Sequence, residues 1–513
     1  MHLIHRCQQG FTTVTLMGVL LVGGLLVAAS FAAVDPDISL SREDQDSKQA
    51  YGAAEAGLQW YLSRLGQDNS FYVKCTSVDQ PAPGVPAPVN QKWNETGNDV
   101  RVWRNLPGEK SQYTVELLPV PGFGQCINGN QYSMIDPSGN MRLRISGKSR
   151  GEVRTILATL RRQNFLDFIY FTNFETLDPG AYTASSIARA ERECAKFRLE
   201  RTSWCQDITF PDFDDIKGPL HTNDSALVCG KPDFGRTPRD AIEIVGKPQF
   251  ADSGCSSIKP DLKGTLIENP SSLGMPPSNV ELVNIADANY RFAGKTTIQL
   301  NGNQMTVSNA DRFGATSQVM SLPPNGVIYV GSKVCTVGYQ RQQTYPSGST
   351  GCGDVWLKGT YDRDLTIAAA NDVVINEDLK RGKDSQGALL GLVANNFVRV
   401  YHPVGSSGCT NQTSTLDDMV IEAAILALKH SFIVDNWHCG DALGKLNVYG
   451  AIAQQYRGPV GTFSGSSLTS GYRKAYEYND RLRYREPPYF LDPVQASWRI
   501  SRETEQQRAV MKR

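Results

Sequence analysis

The run from Thr12 to Val34 contains no charged residue, and a short basic leader carrying His2, His5 and Arg6 precedes it. Roughly 20 apolar residues at 1.5 Å each span a bilayer core of about 30 Å, so few environments suit such a segment. Charge resumes at Asp35, and apolar positions then recur at Ala50, Ala54, Leu58, Tyr61 and Leu65. Steps of three or four residues keep those side chains on one helix face. The spacing predicts a long helix over 11–66, apolar in its first half and amphipathic in its second.

Three uses compete for this N-terminus. A secretory signal has an apolar core of roughly 7–15 residues and a small-residue cleavage site. The run here is longer, although Ser30-Phe31-Ala32-Ala33 fits a cleavage site. A plain membrane anchor over 12–34 is the second use. The third rests on the order of basic leader, Gly10, Phe11, polar Thr12 and Thr13, then Leu16 and an unbroken apolar run. That order resembles the class III leader of type IV prepilins.

The resemblance covers residues 1 to about 66 and has specific implications. In that family a prepilin peptidase cuts after the glycine and the new N-terminal phenylalanine is methylated, which assigns processing to Gly10 and Phe11. Thr15 stands at the fifth mature position, where most major pilins carry a glutamate. Its loss is typical of certain minor subunits placed at the filament tip. Thr15, Leu16, Leu20, Ala54 and Leu58 would then lie on a helix that first sits in the membrane and later packs among neighbouring pilin subunits. The stretch Ala53-Ala54-Glu55-Ala56-Gly57-Leu58 resembles the early helix of large minor pilins. Small residues let helices approach closely. Ala54 and Leu58 equally suit packing on the chain's own globular part, and both uses stay open.

Lys+Arg and Asp+Glu each count 52, so no net field is available to steer nucleic acid. Cysteine usage fits export. Cys7 lies in the leader, and the ten that remain are Cys75, Cys126, Cys194, Cys205, Cys229, Cys255, Cys335, Cys352, Cys409 and Cys439. An even number in an exported chain argues for disulfides. Short loops close at lower entropic cost. Sequential pairing is therefore expected: 75–126, 194–205, 229–255, 335–352 and 409–439. No CxxC occurs and His438-Cys439 is a single adjacent pair, so no metal site is expected from the cysteines.

Along the chain, residues 1–10 read as leader and 11–66 as helix, with a linker-like, proline-bearing stretch at 77–95. Within 67–164, alternating segments at 113–118, 141–145 and 153–160 mark half-buried strands, as in a pilin head with an antiparallel sheet. From 165 to 460 the texture differs. Apolar runs at 365–375, 389–401, 419–436 and 445–458 begin about 25 to 30 residues apart, a period typical of stacked architectures. Asn371-Asp372, Asn395-Asn396 and Asp435-Asn436 sit where a coil must turn. The fold class expected is therefore mainly β. A long N-terminal helix and antiparallel sheet come first, then a parallel β-helix or β-solenoid-like body. Ala423 to Leu428 fits a strand or a short helix. Residues 461–513 read as a C-terminal cap and a loose, charged tail from 499.

Candidates for chemistry are few. His221 in GPLHTND is the sharpest, and a lone histidine in a turn is also a common structural residue. Asp212, Asp214 and Asp215 cluster, as do Asp362 and Asp364. Paired carboxylates can act as acid and base on a glycosidic bond. They equally form turns or a calcium site. There is no GxSxG elbow, P-loop or HExxH. Tyrosines and arginines over 456–490 suit stacking on glycans or closure of the fold. The expected function is structural, that of a minor pilin-like subunit first held in a membrane and then exposed at the cell surface. Its expected partners are pilin subunits, the prepilin peptidase, the membrane and surface glycans. No cofactor is expected beyond a structural calcium. The alternative is an anchored β-helical enzyme acting on polysaccharide.

Overall fold

The computed structural model describes residues 12–506 apart from 69, 76–102, 124–125, 128, 131–132, 137–139, 253–257, 336–338, 342–350, 384, 386, 406–408, 413–416 and 495–497; for 12–15, 27–41 and 252 only the backbone is described. Gly10, Phe11, Cys255 and the expected linker 77–95 thus lie outside the described residues, as does the side chain of Thr15. The chain divides into two compact units, one of residues 1–135, 141–160 and 500–513, the other of 136–140 and 161–499.

In the first unit a single helix runs Thr12–Gln67. Its periodic face is realised as spaced: Ala50, Ala54, Leu58, Tyr61 and Leu65 are all buried. A five-stranded sheet has the order Arg104–Asn105, Gln112–Leu118, Asn140–Ser149, Glu152–Arg162 and Trp498–Gln506. The first pairings are antiparallel. Arg150 and Gly151, both at positive φ, turn the Asn140–Ser149 strand into the next. Helix and sheet meet closely because the contact residues are small. A Cβ on Gly147 would lie 1.9 Å from the Ala50 carbonyl oxygen, and one on Gly57 would lie 2.7 Å from the Tyr113 ring.

The tail beyond 499, expected to be loose, contributes the edge strand Trp498–Gln506. Ser501 Oγ donates to Thr159 O at 3.1 Å, and Arg154 pairs with Glu505. A charged edge strand exposes its side chains while its backbone pairs, so charge content did not predict its order.

The second unit is built on one large curled sheet in which parallel pairings predominate. Two ladders alternate along the chain. One runs through Arg291–Ala293, Val327–Gly331, Leu365–Ala369, Leu390–Ala394, Ala424–Ala427 and Ala442–Arg457. The other includes Thr296–Gly302, Val355–Tyr361, Val373–Arg381, Val398–Val400 and Phe432–Val434. Ala424–Ala427 is thus a strand, buried throughout, which removes the helical option. Strands buried on both faces read as unbroken apolar runs, which is why their period, rather than any alternation, identified them.

The expected corners turn where placed. Asn371 Nδ2 donates to Asp354 Oδ1 at 2.6 Å, Asn396 Nδ2 donates to Asn371 Oδ1 at 2.6 Å, and Asn436 adopts φ 50°. The sheet continues past 460, with Ser467–Tyr478 pairing in parallel with Ala442–Arg457. Residues near 487–490, expected to cap the last coil, instead lie along the first ladder. Pro488 lies near Gly326, just before one strand, and near Thr366 on the next, and Pro487 and Phe490 lie near Gly391 on the one after.

The stacking order departs from the chain order at one joint. Ala442–Arg457 pairs in parallel with Tyr170–Leu177, and Ser467–Tyr478 with Asp215–Lys217. From there Leu220–Thr222, Ala241–Ile244 and Thr265–Ile267 extend the first ladder away. The segment between Ile267 and Arg291 then returns to the opposite end. On the way Leu273 N donates to Asn223 Oδ1 at 3.0 Å, and the buried Asn279 donates to Ala369 O at 2.8 Å and Val393 O at 3.0 Å. The first and last strands of this unit therefore meet at a seam in the middle of the stack.

Candidate functional site

The seam brings together a cluster of buried charges. Arg457 ends its strand and lies 3.7 Å above the Phe210 ring. It donates to Glu175 Oε2 at 3.2 Å and to the carbonyls of Ile208 and Thr209 at 2.9 and 3.0 Å. Its second terminal nitrogen is 3.6 Å from Asp214, and Lys474 Nζ donates to the same Asp214 carboxylate at 2.6 Å. Glu175 and Asp214 are 0 % and 2 % exposed. Burial pushes the Glu175 carboxyl up, since a charged carboxylate loses hydration there, although Arg457 opposes this. Burial likewise pulls the Lys474 ammonium down, against the attraction of Asp214. A cleft of about 330 Å³ opens beside these two residues, walled by Phe213, Trp437, Val460 and Phe463 among others.

The three aspartates of the 212–215 cluster do not act together. Asp212 accepts from the Lys231 backbone N–H, Asp214 is buried with Lys474, and Asp215 is 3.4 Å from Lys217. Asp364 accepts from Leu389 N at 2.8 Å and from Arg485 at 2.6 Å, while one oxygen of the neighbouring Asp362 is buried without a partner.

His221 is 0 % exposed and lies between Phe168 and Phe171, with Nδ1 2.8 Å from Glu243 and Nε2 3.0 Å from Asn223. Through Asn223 it helps to hold the returning segment at Leu273. Among the described residues no group of three or more His, Cys, Asp or Glu could hold a metal ion.

Cys75–Cys126, Cys194–Cys205, Cys335–Cys352 and Cys409–Cys439 are bonded, four of the five sequential pairs. Cys229 is also disulfide-bonded, while Cys255 lies outside the described residues.

On the helix, Leu16 and Leu20 are 63 % and 67 % exposed, as are apolar neighbours on every side through Leu26. Among the described residues no helix is long and apolar enough to cross a membrane; the side chains of 12–15 and 27–34 within the expected span are not among them. Ala54 and Leu58 pack on their own sheet, the second of the two uses open to them.

Sequence reasoning singled out Asp214 and took in Arg457 only among the arginines of 456–490, but missed Glu175 and Lys474. Each sits in an ordinary strand sequence, and only the pairing of strands far apart in the chain unites them.

No protein-family model matches the chain, and no curated protein does. Among solved structures, the competence-associated pilin ComZ from Thermus thermophilus aligns over 90 % of this chain and 97 % of its own, at 14 % identity and a TM-score of 0.28. A score that low carries no argument about fold or function.

Proposed function

We propose that the chain is a minor pilin-like structural subunit, not an enzyme, with a body that coils as a β-solenoid. It is held first in a membrane by residues 12–34, then handed to a filament at or near the tip, where the body serves adhesion or assembly. The observation that carries this reading is the two-part helix. Its described apolar residues from Leu16 to Leu26 are exposed on all sides, while its end is buried against an antiparallel sheet. An apolar surface of that kind requires lipid or other helices around it.

The prepilin-like leader before it, with Gly10 and Phe11 as processing residues, supports handing on by a prepilin peptidase. Other pilin subunits are the partners of Leu16 and Leu20, and surface glycans are candidate ligands of the exposed body. The alternation of two parallel ladders supports the coil. No cofactor is invoked.

The experiment is fractionation of cells carrying a tagged chain. Recovery with sheared surface filaments, lost when the filament's major subunit is deleted, is expected. Retention in the membrane fraction regardless of filaments would overturn the reading.

A further inference from the structure

Among the described residues, the seam pairs the strands of the body that are most remote in sequence. None of the four described disulfides crosses it, since they close separations of 51, 11, 17 and 30 residues. Lys474 and Asp214 do cross it, 260 residues apart and in contact at 2.6 Å. We propose that these two side chains are joined in the mature protein by an isopeptide bond, Lys474 Nζ to Asp214 Cγ, which ties the first coil of the body to the last.

The chemistry balances without a co-reactant. A proton passes from the ammonium to the carboxylate within the hydrogen bond. The freed nitrogen lone pair attacks Cγ, the nitrogen passes a second proton to the oxygen already protonated, and that C–O bond breaks. A water molecule leaves and nothing is oxidised or reduced. The surroundings favour each part. Burial holds the lysine toward its neutral, nucleophilic form. Arg457, 3.6 Å from Asp214 Oδ2, holds the carboxylate in place beside the amine. Glu175, 3.2 Å from the other arm of that guanidinium, is held toward the protonated form by burial. Arg457 and Glu175 are positioning residues in this scheme. The cleft that borders both Asp214 and Lys474 gives the water an exit.

Energetically the bond exchanges two desolvated charges for one neutral amide. Buried ion pairs carry a desolvation cost of several kcal/mol per ion. Lys474 is only 12 % exposed and Asp214 only 2 %. After reaction the Arg457–Glu175 pair stays buried beside the new amide.

The test is the mass of the mature protein after its disulfides are reduced and alkylated. The wild type is expected to be one water lighter than the sequence of that mature chain, counted from its observed N-terminus with its methyl group, and digestion should yield a branched peptide joining the segments around 214 and 474. Lys474→Arg should restore the full mass. Glu175→Gln, by loosening Arg457, should slow bond formation about a hundredfold while the circular dichroism stays unchanged. A full wild-type mass, or a water lost with only linear peptides recovered, would overturn the proposal, and that result needs no variant to fold.

Discussion

The two units reach order by different routes. In the first, sheet neighbours are mostly chain neighbours, and small residues let the helix pack closely, Ala50 and Ala54 against Gly147 and Gly57 against Tyr113, with polar contacts such as Arg154–Ser47 at its edge. In the second, the ladders repeat so regularly that many edges resemble one another, and the joint between Ala442–Arg457 and Tyr170–Leu177 must be selected among them. Arg457, Glu175, Asp214 and Lys474 lie at that joint. Buried charges are a poor source of net stability, but they penalise every wrong register. Close packing fixes the first unit, whereas charge complementarity specifies the seam of the second.

The largest expected effect tests that contrast directly. Arg457→Ala leaves Glu175 buried without its partner. It should cost about 3–5 kcal/mol in chemical denaturation, with hydrogen exchange rising first in 170–177 and 442–457. Replacing Arg457 and Glu175 together by Met and Leu should recover much of that stability but broaden the unfolding transition. If the double replacement is as sharp as the wild type, the charges do not specify the joint.

Next in size, Leu58→Ala opens a cavity under the helix and should cost about 2–4 kcal/mol, read as increased exchange in 50–65 and 112–118 with the second unit unchanged. Gly147→Ala should cost about 1–3 kcal/mol in the same unit, because the helix backbone must shift to admit the new carbon.

The smallest effect concerns acid. Burial, then the nearby Arg341 charge, pull the His438 imidazole down from 6.5 to about 4. The folded state therefore binds this proton less readily than the unfolded chain. Stability from this source is full above pH 6.5 and is lost as pH falls toward 4. Thermal midpoints of His438→Gln should fall less steeply than those of the wild type across that window, and parallel curves would refute the assignment.

Much of this was legible in the chain, for physical reasons. The helix face from Ala50 to Leu65 follows from a 3.6-residue period, the corners at Asn371 and Asn396 from the turn chemistry of asparagine, and the bonded cysteines from short loops. The seam was not. Pairing between Tyr170–Leu177 and Ala442–Arg457 leaves no local pattern, because the partner of a fully buried strand is set by tertiary packing. Glu175, Arg457 and Lys474 look like unremarkable strand residues for the same reason. Asp214 was noticed for its neighbours Asp212 and Asp215, with which it shares no partner in the fold. The strand Trp498–Gln506 was hidden by its charge.

The proposal of a pilin-like subunit rests most heavily on Gly10 and Phe11. The N-terminal peptide of the mature protein, determined by mass spectrometry from cells with and without prepilin peptidase, tests it most directly. The account predicts a peptide beginning at methylated Phe11 that disappears when the peptidase is absent. An intact Met1, or a start near Val34 unaffected by the peptidase, would contradict it.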